Sequence, residues 1–177
     1  MAGAAAAQSP GPNRLSISGG WMKRIRWPNP DYAETGPTAG VSYGYRPWRF
    51  LELEAGVTVA FQPGAVLCSQ FDCYDPNDRY VWIPVGARLI APVAAGRVEL
   101  SFGGGGIIER YSVSNPGYQY GDVSRTAFGG YFAAGAAVAL DKRRRWWVGT
   151  TERVLLVNPE FTRHRWLQLG GEVSWRF

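Results

Sequence analysis

Apolar and polar side chains alternate along most of this chain with a period of two. That is the spacing of an extended strand whose two faces meet different surroundings. The clearest run places Leu51, Leu53, Ala55, Val57, Val59 and Phe61 on one face and Phe50, Glu52, Glu54, Gly56, Thr58, Ala60 and Gln62 on the other. The chain ends the same way, with Leu167, Leu169, Gly171, Val173, Trp175 and Phe177 set against Gln168, Gly170, Glu172, Ser174 and Arg176. Similar segments predict about eight strands, near residues 15–23, 38–45, 50–62, 80–89, 97–109, 127–140, 146–157 and 164–177. Pro84 inside the fourth predicts a bulge or an unpaired position, because proline cannot donate to a ladder. The run from Gly103 to Gly106 predicts sharp bending or close strand approach. The sixth segment is small and apolar on both sides, so its facing stays open. In the seventh, either Glu152 or Arg153 must point inward, and Arg153 is the better choice. Long polar connections follow the first, third and fifth strands, a shorter one follows the seventh, and tight turns follow the second, fourth and sixth.

With 177 residues the chain suffices for one domain and no sizeable second one. Residues 1–12 read as a flexible leader or signal-peptide remnant, and 13–177 as the folded domain. The 23 glycines and 14% aromatic content suit a β protein with tight turns and close strand contacts. A mean hydropathy of −0.18 and the lack of any run of about 18 apolar residues exclude a transmembrane helix. Neither excludes a barrel, whose strands hide their apolar residues in alternation. The net charge of +5 is dispersed rather than gathered in a stripe, so nucleic acid is not an expected partner.

The face that carries the charge decides between two kinds of barrel. In a soluble, lipocalin-like barrel the apolar set points inward; in a membrane barrel it points outward. Four features favour the outward arrangement. Aromatics on the apolar face lie near strand ends, at Trp21, Tyr43, Tyr45, Phe61, Trp175 and Phe177, where a bilayer interface holds them. The polar face mixes both signs of charge, which can pair inside a narrow lumen. That face also carries Gly20, Gly40, Gly44, Gly56, Gly86, Gly103 and Gly170, small neighbours that large charged side chains need there. Lysine, a common guard of soluble strand edges, is scarce.

An amphipathic final strand that stops on an aromatic, LQLGGEVSWRF, resembles the last strand of the small bacterial outer-membrane β-barrel family, the OmpA/OmpX-like and opacity-type porins. The resemblance covers about residues 14–177 and rests on alternation rather than invariant residues, apart from Phe177. It implies an all-β fold: an eight-stranded antiparallel up-and-down transmembrane barrel in the bacterial outer membrane, with long extracellular loops and short periplasmic turns. It further implies that Trp175 and Phe177 belong to a signal read by the barrel-assembly machinery, and that outer-membrane lipids and lipopolysaccharide are partners. Membership of a larger envelope complex stays open.

Candidate chemistry follows from that frame. Glu52, Glu54, Arg88, Glu99, Arg153, Glu172 and Arg176 form a lumen constellation, read as an ion-pair plug rather than a path for protons or small ions. Cys68 and Cys73 lie in a loop facing an oxidising space, where a disulfide is expected. Asp72, Asp75 and Asp78 nearby read as turn residues in preference to a Ca²⁺ site. His164 is the only histidine, so no zinc site is expected, and no cofactor. Lys23, Arg24, Arg26, Arg110, Arg163 and Arg165 fall at the outer rim, as solvated charge or as contacts to lipopolysaccharide phosphates. Residues 142–145 make a basic periplasmic turn. The barrel lipid A deacylases and palmitoyl transferases are of similar size, but His164 stands in HRWLQLGG without a serine two residues on, so no catalytic set is expected. The functional expectation is a structural or surface-display role. A narrow channel comes second and a lipid-modifying enzyme third.

Overall fold

The structure, a computed structural model, describes residues 11–25, 35–63, 67–68, 73–74, 77–114, 123–158 and 164–177; at 62–63, 67–68, 73–74, 77–78, 113–114, 123 and 164 only the backbone is described. In chain order the strands are β1 (Asn13–Arg24), β2 (Thr35–Trp48), β3 (Leu51–Pro63), β4 (Leu67–Cys68), β5 (Cys73–Tyr74), β6 (Asn77–Val93), β7 (Val98–Ser114), β8 (Val123–Ala139), β9 (Trp146–Val157) and β10 (His164–Arg176). Eight of them close into one antiparallel cylinder in the order β1-β10-β9-β8-β7-β6-β3-β2, and β4 and β5 pair separately. Each barrel strand therefore lies beside its sequence neighbours, and β1 meets β10 to close the wall. The closure is tied at the chain end, where Asn13 and Phe177 exchange backbone hydrogen bonds of 3.1 and 3.0 Å.

The stagger of the wall can be followed residue by residue. Cross-strand partners lead from Asn13 through Tyr45, Leu53, Ala87, Gly104, Phe132, Val154 and Leu167 back to β1 at Lys23. The circuit returns ten residues further along β1, from 13 to 23. Eight strands with that shear require a tilt of about 40° and a backbone radius of about 8 Å, so each residue climbs the axis by about 2.5 Å. An interior of that width holds side chains and nothing more.

The two faces are sorted as the alternation predicts, with the apolar set outside. Leu53, Val57 and Leu169 are 46%, 45% and 49% exposed, whereas Glu54 and Arg176 are each 4% exposed. A soluble barrel would show the reverse. The strand ambiguous in sequence, β8, turns Phe128, Phe132 and Val138 outward and Ala127, Tyr131 and Ala133 inward. On β9, Arg153 is buried and Glu152 is exposed. Turns after β2, β6 and β8 are short and share one end with both chain termini; the longer connections leave the other end. The register from β6 to β7 runs unbroken through Pro84, opposite Ile107. Toward β3 the pairs at Pro84 and Ile83 are missing while the register resumes unchanged beyond them, so the proline leaves a gap rather than a bulge. A register shift between Tyr45 and Trp48 marks the one irregularity on the other side of β3.

Candidate functional site: a lumen closed at two levels

The lower half of the lumen, toward the short turns, is ionic. Arg14 from β1 reaches Glu172 and Glu52 at 2.9 Å each and Glu54 at 3.6 Å. Arg88 from β6 reaches Glu52 at 2.8 Å and Glu54 at 3.1 Å. Arg153 approaches Glu54 at 3.7 Å, and the Tyr131 hydroxyl donates to the same carboxylate at 2.9 Å. Below these, Arg46 links Glu52 at 3.2 Å to Glu99 at 3.0 Å. Arg176 donates to both oxygens of Glu99, at 2.8 Å for Oε1, and lays its guanidinium 4.1 Å from the Trp147 ring centre. The result is one connected web from Glu172 to Arg176. All seven residues expected at this site from sequence are brought together in it.

Glycines make room for the web. A Cβ on Gly44 would meet the Glu52 carboxylate at 2.9 Å, and one on Gly86 would meet the Tyr131 hydroxyl at 2.6 Å. The space left among Arg14, Glu52, Arg88, Glu99, Glu172 and Arg176 is a cavity of about 20 Å³, room for about one water. Chemically the arrangement can hold charge in place.

The upper half is aromatic. Tyr80 and Trp82 of β6 stack at 5.5 Å, and Trp166 of β10 packs edge-on against both at 4.9 and 5.7 Å. Tyr111 closes on Tyr80 at 4.8 Å. Met22, Ile107, Leu155 and Val157 fill the ring around them. At its centre the buried carboxylate of Glu109 accepts the indole N–H of Trp82 at 2.8 Å and of Trp166 at 3.2 Å.

Sequence reasoning missed three parts of this interior. Arg14 sits one residue before the expected first strand and Arg46 one residue after the expected second. Extending the same alternation by a single position would have placed both inside. Alternation in the sequence sets Glu109 on the face of Glu99 and Trp82 on the face of Arg88, but nothing within one strand shows that Glu109 meets the indoles of Trp82 and Trp166.

The rims are distinct. Lys23, Arg110 and Arg165 point outward and are exposed at the end of the long loops, joined by Arg79, whose guanidinium lies 6.0 Å from the Phe61 ring centre. Arg24 instead stands over Trp166, 5.5 Å from its ring centre, on the lumen side. Arg26 and Arg163 lie outside the described residues, as do Asp72 and Asp75; Asp78 and His164 are described in backbone alone. Cys68 and Cys73 face each other across the β4–β5 ladder, and their side chains lie outside the description. At the opposite rim Trp175 stacks on Phe177 at 4.6 Å and tilts against Trp146 at 6.4 Å, part of a lower aromatic girdle with Tyr45 and Trp48. In the turn after β8, the N–H groups of Trp146 and Arg145 bond the Asp141 carboxylate and hold its pKa below the ordinary value. Arg144 bonds the Ala95 carbonyl at 2.7 Å and ties that turn to the one after β6.

No family model and no curated protein matches this chain in sequence. Solved structures do match it in fold. Neisserial surface protein A aligns with a TM-score of 0.74 at 16% identity, covering 96% of this chain and 100% of its own. The attachment invasion locus protein Ail of Yersinia pestis, solved also with the heparin analogue sucrose octasulfate, aligns at 0.60 with 13% identity over 96% and 100% of the two chains. The N-terminal barrel domain of Pseudomonas aeruginosa OprF aligns at 0.59 with 10% identity over 96% and 100%. The chain has the fold of the small bacterial outer-membrane barrels, and the polarity of its two faces is that of a barrel set in lipid.

Proposed function

We propose that this protein is an integral outer-membrane barrel with a structural or surface-display role, its lumen closed to solutes. The observation that carries the reading is the double closure of the interior, ionic below and aromatic above. A channel needs a continuous wet path, and the ionic half leaves space for about one water. Buried pairs of this kind stabilise when complete and cost several kcal/mol when broken, which suits a plug better than a moving gate. The test is conductance of the folded protein in planar lipid bilayers. The expected result is no unitary current for the wild type, and lower stability without current for Glu52→Gln and Arg88→Met. Discrete steps from the wild type would replace this reading with the narrow channel.

The outward crown of Lys23, Arg79, Arg110 and Arg165 would hold lipopolysaccharide phosphates, since guanidinium and ammonium groups donate charge-assisted bonds to such anions. Ail, similar in fold, has been solved in complex with a polysulfated sugar. A triple change of Lys23, Arg110 and Arg165 to Gln should weaken association with lipopolysaccharide micelles and make it less sensitive to salt. On the same reading, removal of Phe177 slows insertion by the barrel-assembly machinery. The loop cysteines form a disulfide, which thiol labelling with and without reductant detects. The lipid-modifying alternative is tested by His164→Ala, which should leave lipid A composition unchanged.

A further inference from the structure

The lower mouth of the barrel holds a cavity that the plug does not use. Its volume is about 790 Å³, within the range of small-ligand sites. It reaches from Glu99 and Arg46, at the foot of the ion web, to Trp48 in the lower girdle, which is exposed on the outer face. The turns after β2, β6 and β8 supply Arg49, Ala94, Ala95 and Arg144 to its wall. Among the described residues, the non-glycine positions with positive φ are Ala94 (49°), Ala95 (55°) and Arg144 (55°), and all three line this cavity. Each costs about 1–2 kcal/mol in that left-handed region. Glycine at 94 and 95 would relieve the strain; alanine instead adds two methyl groups to the wall.

Charge in the cavity is unbalanced. Glu99 is the one acid lining it, and Arg46 and Arg176 already bond that carboxylate. Arg144 donates to the Ala95 carbonyl at 2.7 Å, and no other acceptor meets its guanidinium among the described residues. Arg49 is exposed and has no hydrogen bond or ion pair among them. Pro47, Pro92 and Val93 make the rest of the wall apolar. Two guanidiniums beside such a wall fit a ligand with a phosphate at one end and hydrocarbon at the other. The guanidinium fork matches phosphate in bidentate geometry, and an exposed girdle Trp marks the depth where headgroups meet acyl chains. The chain's own first ten residues contain no Asp or Glu, so they bring no side-chain anion to these cations.

We infer that this cavity binds the headgroup phosphodiester of an anionic phospholipid from the periplasmic leaflet, an inference that rests on the membrane reading above. Arg49 and Arg144 hold the phosphate, and Trp48 and Val93 meet the glycerol and the first methylenes. A headgroup without an amine is favoured, because Arg97, Lys142 and Arg143 stand exposed at the same end and repel an ammonium while attracting net negative lipid. The bound phosphate bridges the turn after β2 to the two turns that Arg144 already joins.

The test is native mass spectrometry of the full chain, folded in maltoside micelles with equal amounts of phosphatidylglycerol and phosphatidylethanolamine. The expected result is one phosphatidylglycerol per barrel, bound about tenfold or more tighter than phosphatidylethanolamine. Arg49→Gln should weaken it about fivefold, and Arg49→Gln/Arg144→Gln about thirtyfold. Lys142→Gln/Arg143→Gln removes as much charge from the same end but outside the cavity, and should change binding less than about twofold. Arg49 has no partner to lose, so its variant should fold; the shift between boiled and unboiled samples in gels checks this separately and tests the membrane reading itself. Excess glycerol 3-phosphate should not displace the lipid. If it does, the site takes a soluble phosphate ester and the lipid assignment is overturned. A wild type that retains no phosphatidylglycerol, equal retention of the two lipids, or equal losses in the two double variants overturns the inference outright.

Discussion

The two halves of the lumen are closed by opposite means. Below, Glu54 alone answers three guanidiniums and a phenol, and the closure is a matter of charge balance. Above, Trp82, Trp166, Tyr80 and Tyr111 close the bore by volume, and Glu109 is held by neutral indole donors together with what surrounds it. The same tilted wall accepts both fillings because it supplies glycine where a guanidinium must lie flat and full-sized residues where rings must meet. The difference teaches that a narrow barrel can be plugged by two unrelated interactions, and that each should fail to a different substitution.

The largest effect is expected where charge is removed without volume. Glu54→Gln should lower the unfolding free energy by about 3–5 kcal/mol, because Arg14, Arg88 and Arg153 are left facing a neutral amide in a dry interior. Urea unfolding in lipid vesicles, followed by tryptophan fluorescence, measures it. The double variant Glu54→Gln/Arg88→Met should be no worse than the single one, since it also removes one of the guanidiniums that lost a carboxylate partner. If Glu54→Gln costs less than about 1 kcal/mol, the lower half is held by packing and the comparison collapses.

In the aromatic half the order reverses, and volume outweighs the polar atom. Trp166→Ala should cost about 3–5 kcal/mol through the cavity it leaves. Trp82→Phe keeps most of the ring and gives up one N–H donor to Glu109, so about 1.5–3 kcal/mol is expected. Equal losses for the two would mean that the indole bonds, rather than the rings, close the upper bore. The same unfolding assay separates these outcomes.

The two halves also differed in how far they could be read in advance. Ionic residues inside an alternating strand are conspicuous, so Glu52, Glu54, Arg88, Glu99, Arg153, Glu172 and Arg176 were legible from parity and sign alone. Arg14 and Arg46 were hidden only by strand ends drawn a residue short, which is where sequence patterns are least sharp. Parity with Arg88 puts Tyr80 and Trp82 on the lumen face as well. That they meet Trp166 in a collar was illegible, because which strands face one another across the bore depends on register. The eight strands, their order and the outward apolar face followed from alternation and loop asymmetry. The shear did not, because register depends on pairing between strands and leaves no mark within one of them.

The smallest expected effect lies outside both fillings, in the turn beneath the ionic half. The N–H groups of Trp146 and Arg145 hold the pKa of the half-buried Asp141 below the ordinary carboxylate value. A depressed folded-state pKa adds stability that is fully present above the unfolded value and is lost as pH falls through the folded one. The difference in unfolding midpoint between wild type and Asp141→Asn should therefore be small at neutral pH and vanish in acid, when both side chains are neutral. That difference cancels the lumen carboxylates, which both proteins share. If the gap between the two proteins instead widens on acidification, the turn is coupled to the ion web above it. Arg144, which ties this turn to Ala95, and Trp147, which bonds the Arg144 carbonyl and lies under Arg176, would be the route. The lower half would then act as one unit with its rim, while the upper half closes the bore independently.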